Sequence, residues 1–99
     1  MNTAALFDKL LGDLASAGAV ESAAEGDVRE LAVDGEPFAR LQGDLFFVRL
    51  PADEPAGDQA LGLRSGTSAG PEWVRVDTED VAEWPRLAER ALRAVKRED

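Results

Sequence analysis

An aromatic residue followed two positions later by arginine occurs three times in this chain, as Phe38-Ala39-Arg40, Phe47-Val48-Arg49 and Trp73-Val74-Arg75. Each step lies in a segment whose composition suits a β-strand. Residues two apart on a strand project from the same face, so each ring shares a face with its guanidinium. Ala39, Val48 and Val74 then turn the other way, toward the core. Phe38, Arg40, Phe47, Arg49, Trp73 and Arg75 are therefore the candidate ligand- or partner-binding residues. Two readings suit such a surface. As an open platform, it stacks nucleic-acid bases or holds an acidic ligand, as sheet-based single-strand binders do. Alternatively, a helix covers part of it, the rings join a second small core, and the arginine stems run out to Glu30, Glu36 and Glu72 at the rim. The net charge of -9 and the absence of tyrosine favour the second reading.

The chain has no histidine, cysteine or tyrosine. Without them there is no Ser-His-Asp or Cys-His arrangement, no disulfide, and no imidazole base for neutral pH. Zinc sites draw on His or Cys in nearly every case. Carboxylates, Lys9, Lys96 and hydroxyls are all that remains for proton transfer. We expect no catalytic function, no metal and no cofactor. Asp77, Glu79 and Asp80 have the oxygen ligands of a hard-cation site but not the spacing of a calcium loop, and capping of the following turn accounts for them. Asp53, Glu54 and Asp58 have the same standing. The glycine-rich run from Gly62 to Gly70 contains Arg64 and could cradle an anion. It lacks the phosphate-loop lysine and leads into a strand rather than a helix, so a surface connection is the simpler expectation.

Charge is uneven along the chain. Residues 1–58 hold twelve acids against four bases, and residues 59–99 eight against seven. A surface of net charge -9 disfavours tight binding to phosphate backbones. The N-terminal stretch carries Asp8, Lys9 and Asp13 within its apolar pattern, which suits neither a signal peptide nor a membrane span. A cytoplasmic protein is the default expectation.

The elements that must position these residues follow from periodicity. Leu6, Phe7, Leu10, Leu11 and Leu14 fall within about 140° of arc, an amphipathic helix capped by Asn2 or Thr3 and stopped near Gly18. Residues 19–27 suit a loop. A meander follows, with strands at Val28 to Val33, Glu36 to Gln42 and Leu45 to Leu50. They are joined by Asp34-Gly35 and Gly43-Asp44, residue pairs suited to two-residue turns. The second turn sets a register in which Leu41 faces Phe46 and Ala39 faces Val48. Phe38 then faces Arg49 and Arg40 faces Phe47, two cross-strand cation–π pairs. A long connection over 51–70, with one helical turn or short strand near Gln59 to Leu63, leads to a fourth strand at Glu72 to Val76. Pro85 opens a final helix buried through Leu87, Ala88, Ala91, Leu92 and Val95. Arg86, Arg90, Arg93 and Arg97 line its opposite side, as a solvated face or as a secondary docking surface for an acidic partner. The order predicts one α+β domain over 1–99, with a mainly antiparallel four-stranded sheet and helices at both ends.

Several of these residues together resemble the TfoX N-terminal-domain-like family, which is related to the YjbR-like domains. They are Val33-Asp34-Gly35-Glu36-Pro37-Phe38-Ala39-Arg40-Leu41, Val48-Arg49-Leu50-Pro51, Glu72-Trp73-Val74 and Trp84-Pro85 with the closing Leu/Ala helix. The resemblance implies a small bacterial α+β domain with an antiparallel sheet, a link to competence regulation, no established catalytic set, and a suggested DNA-binding role. Where that family often carries an Arg and a Met-Lys pair, this chain has Gly66-Thr67-Ser68-Ala69-Gly70-Pro71, without a base. The combined expectation is a non-catalytic binding or regulatory domain. Its function would be protein–protein interaction, including self-association, with weak nucleic-acid binding on the same face as the alternative.

Overall fold

The computed structural model describes residues 2–22 and 26–97; part of the loop expected over 19–27 lies outside them, and Val20–Ser22 within it is a strand instead. Helix α1 (Thr3–Leu14) starts where the Asn2 side chain accepts the N–H of Ala5 at 3.1 Å. It tightens into a 3₁₀ turn over Ala15–Ala17 and stops at Gly18, whose φ of 100° favours glycine. Strands β1 (Val20–Ser22), β2 (Val28–Val33), β3 (Glu36–Gln42) and β4 (Leu45–Arg49) follow. Then come α2 (Pro55–Leu61), β5 (Thr67–Ser68), β6 (Trp73–Val76), a 3₁₀ segment (Thr78–Glu83) and α3 (Trp84–Arg97). Asp34 and Gly35 both have positive φ, 52° and 81°, as a primed two-residue turn requires.

The described residues form an α+β fold with three α-helices and one six-stranded antiparallel sheet, ordered β1-β2-β3-β4-β6-β5. The sheet therefore has two more strands than periodicity predicts. β1 pairs with β2 over only three residues, and β5 with β6 over only two, too short to show an alternating pattern. Helix α2 occupies Pro55–Leu61 rather than a turn near Gln59 to Leu63. Its helical signal is masked by Gly57, where a Cβ would lie 3.5 Å from both the Leu50 side chain and its carbonyl oxygen. Asp77 precedes the 3₁₀ segment without capping it through its side chain, because its carboxylate turns toward Arg75 instead.

The register of β3 and β4 matches the turn chemistry. Leu41 faces Phe46, Ala39 faces Val48 and Arg40 faces Phe47. The β2–β3 ladder is less regular. Leu31 faces Ala39 but Ala32 faces Pro37, which leaves Phe38 as the extra residue of a bulge. One sheet face, built from Leu31, Val33, Leu41, Phe46, Val48 and Val76, packs with the helices into a single core. Trp84 of α3 stacks on Phe46 with ring centroids 4.6 Å apart, and Phe7 of α1 meets Phe46 edge-on at 6.4 Å.

Candidate binding face

Opposite that core, the other face of the sheet carries a row of alternating chemistry. Glu30 faces Arg40, Arg40 faces Phe47, Phe47 faces Arg75, and Arg75 faces Thr67, one residue from each of β2, β3, β4, β6 and β5. In the next row Arg49 faces Trp73. Phe47 and Trp73 are half-buried, and neither belongs to the hydrophobic core or packs against it. Arg40, Phe47, Arg49, Trp73 and Arg75 are thus brought together as expected. All three helices contribute to the core on the opposite side of the sheet, and α2 borders this face only at Trp73.

Phe38 departs from the set. It is completely buried in the core, as is its neighbour Ala39. The bulge breaks strict alternation at this point and lets two successive side chains enter the same face. The predicted pairing of Phe38 with Arg49 does not form. Nor is Arg40 stacked on the Phe47 opposite it: its guanidinium lies over the Trp73 ring, 4.4 Å from the centroid. An arginine stem is long enough to pass the intervening strand, and indole is the better cation–π partner.

The charges on this face are closed locally. Arg40 Nε donates to Glu30 at 2.6 Å, and the other Glu30 oxygen accepts the Ser22 hydroxyl at 2.8 Å. Arg49 donates to Glu72 through Nε at 3.1 Å and Nη2 at 2.9 Å, with Glu36 at 4.0 Å. Arg75 Nε lies 3.2 Å from Asp77 Oδ1, an ion pair whose geometry leaves both buried atoms without a hydrogen bond. The arginine stems therefore do reach Glu30, Glu36 and Glu72, as the closed reading of this surface expects. Glu72 itself has a φ of 67°, unusual for a residue with a Cβ. It sits at the turn where its carbonyl accepts the Leu50 N–H at 2.6 Å.

No protein-family model, curated protein or solved structure matches this chain.

Elsewhere, the predicted arginine stripe of α3 is exposed but engaged. Arg86 bridges Glu83 at 2.6 Å and Gln59 at 2.7 Å, Arg93 pairs with Glu89 at 2.8 Å, and Arg97 lies 3.7 Å from Glu54. Arg90 is exposed. Among the described residues no group of three acidic side chains is placed to hold a metal ion. The Gly62 to Gly70 run is pinned from the side: the Ser65 N–H donates to Asp80 at 2.8 Å, its hydroxyl donates to the same oxygen, and it accepts the Asp77 N–H at 3.1 Å. Those bonds hold the Asp80 carboxyl below its usual range. A carboxylate therefore occupies the position that an anion-binding loop would leave to its ligand. Sequence reasoning missed this clasp because Ser65 and Asp80 lie fifteen residues apart with no periodic signal between them.

Proposed function

We propose that this chain is a non-catalytic protein-interaction module that self-associates through the open face of its sheet. The observation that carries this reading is a sheet face outside the described core, on which two half-buried rings lie among three arginines, each paired with a carboxylate. Such a face can bury its rings against a protein without stranding a charge. A nucleic acid would first have to displace Glu30, Glu72 and Asp77 from their partners, against the repulsion of the whole chain. A second copy is the occupant whose chemistry suits it. Two chains of net charge -9 repel broadly, and this face gathers arginines beside acids that a two-fold axis can pair reciprocally. The TfoX-like resemblance adds a regulatory role, and the absence of cysteine suits the cytoplasm. Among the described residues no helix is long and apolar enough to cross a membrane.

Sedimentation velocity over a range of protein concentrations tests the proposal. The chain should show a dimer that Arg49→Glu and Phe47→Glu both reduce to monomer while the fold is kept. A monomer at all concentrations, or a dimer indifferent to both changes, overturns it. Addition of a single-stranded oligonucleotide at low salt separates the alternative: amide shifts at Arg40, Phe47 and Trp73 would favour nucleic-acid binding on the same face.

A further inference from the structure

A second surface lies at the edge of the sheet, where α2 and the β5–β6 hairpin enclose a groove of about 260 Å³. We propose that this groove takes the arginine or lysine side chain of an extended basic segment from a protein partner. The inference does not depend on self-association through the open face, although Trp73 and Glu72 border both.

The floor is apolar, from Leu50, Pro51 and Val74, and Leu61 stands at the rim with 46% of its surface exposed. Around it stand Glu54, Asp58 and Glu72, and the lining includes no lysine or arginine. An aliphatic floor beneath carboxylates is complementary to a side chain with an apolar stem and a cationic head. The volume is below the roughly 300–1,000 Å³ usual for small-molecule sites, which favours one long side chain over a cofactor-sized ligand.

Glu54 gives the groove its demand for a cation. Its side chain is 6% exposed, yet its nearest cation among the described residues is Arg97 at 3.7 Å, beyond hydrogen-bond reach. Arg97 is itself 59% exposed. A largely buried carboxylate whose ion pair is one long contact to an exposed arginine keeps acceptor capacity for a closer donor. An incoming guanidinium or ammonium would supply the missing charge-assisted bond. Asp58 is exposed at the rim, and Trp73, whose ring already carries the Arg40 guanidinium, borders the groove.

The setting fixes the form of the partner. β5 is the outermost strand of the sheet, and Ser68 of that strand lines the groove. An extended segment can lie along this edge and lower one side chain into the groove, the usual geometry of strand addition. The net charge of -9 steers a basic segment toward the molecule.

The test uses short extended peptides that differ only at one central residue, Arg, Lys, Gln or Glu, titrated into the full chain and followed by amide shifts. The Arg and Lys peptides should shift Asp58, Leu61, Ser68 and Gly70, and the Gln peptide should bind about tenfold more weakly, the worth of one charge-assisted contact. Asp58→Lys, on an exposed position, should weaken the Arg peptide by at least about tenfold, and Glu54→Gln should do the same without reversing a charge. Equal affinity for the Arg and Gln peptides, or indifference to both substitutions, overturns the proposal. So do shifts that are absent from the groove or confined to Arg40 and Phe47. A monomeric chain that still binds the Arg peptide in the groove would sink self-association and leave this inference standing.

Discussion

The two faces of the sheet run across the same strands and differ in what satisfies them. On the inner face Phe46 is fully buried, stacked on Trp84 and met edge-on by Phe7. On the outer face its chain neighbour Phe47 is half-buried, between Arg40 and Arg75 on the flanking strands. The inner face is held chiefly by shape: rings and aliphatic groups fill space among three helices, and Arg29 at its edge lies against the Phe7 ring. The outer face is held by pairing, since every arginine there has a carboxylate within reach. The first arrangement fixes the fold, and the second leaves a surface that can exchange its partners. Stability is thus located on one side of the sheet and the proposed recognition surface on the other.

Adjacent phenylalanines test that contrast most sharply. Phe46→Ala removes a ring from a closed aromatic stack and should destabilise the chain by about 3–5 kcal/mol. Phe47→Ala removes a half-exposed ring and should cost about 1 kcal/mol or less while abolishing the sedimentation dimer. Urea unfolding of both variants measures the difference. Similar losses for the two would mean that the outer rings form a second core, and the division between the faces would fail.

A smaller effect is expected at Gly66, which controls how closely the chain entering β5 approaches α2. A Cβ at this position would fall 1.8 Å from the Ala60 carbonyl oxygen. Gly66→Ala must push the two segments apart and should cost about 1–3 kcal/mol, a core-like penalty at a position that looks like a loop. Because Ser68 and α2 both line the acidic groove, this variant should also perturb the groove amides but leave those of Arg40 and Phe47 in place.

Much of this division was legible in the chain because it rests on local rules. Asp34-Gly35 and Gly43-Asp44 fix the turns, and the turns fix the register that pairs Arg40 with Phe47. The apolar stripe of α3 is buried as its period requires. What escaped the sequence depends on features with no period. The bulge that carries Phe38 inward is one extra residue among strands of ordinary composition. Two partners of Arg29, the Phe7 ring 5.0 Å away and Asp8 at 2.6 Å, are brought from a distant helix. β1 and β5 are too short to alternate visibly, and the groove forms only when α2 and β6, separated in sequence by a long connection, come together.

Glu72 joins the two regions and should respond weakly because two effects oppose each other. Its left-handed φ of 67° suits glycine, so Glu72→Gly relieves backbone strain of about 1–3 kcal/mol. The same change removes the hydrogen-bonded anchor of Arg49, a contact between partly exposed groups worth roughly 1 kcal/mol or less. Stability should change little or rise slightly in urea unfolding. The dimer should weaken, because Arg49 is left without Glu72. A large loss of stability would show that the outer ion pairs hold the fold as the inner core does.

The smallest expected effect is acid sensitivity, and it belongs to clasps away from the open face. Hydrogen bonding to Arg29 holds the Glu21 carboxyl below its ordinary 4.5, and the Ser65 bonds hold Asp80 below its ordinary 3.8. Both groups bind protons more readily in the unfolded chain. Their contribution is therefore fully present above those ordinary values and fades as the pH falls through the lower folded ones. Stability should decline with acidification from about pH 4.5 downward. Glu21→Gln should flatten that decline without changing the dimer near neutral pH, since Glu21 pairs with Arg29 and not with the outer arginines. Urea midpoints for both chains across pH 3 to 7 measure it, and an unchanged slope in the variant would remove the Glu21–Arg29 clasp from the acid response.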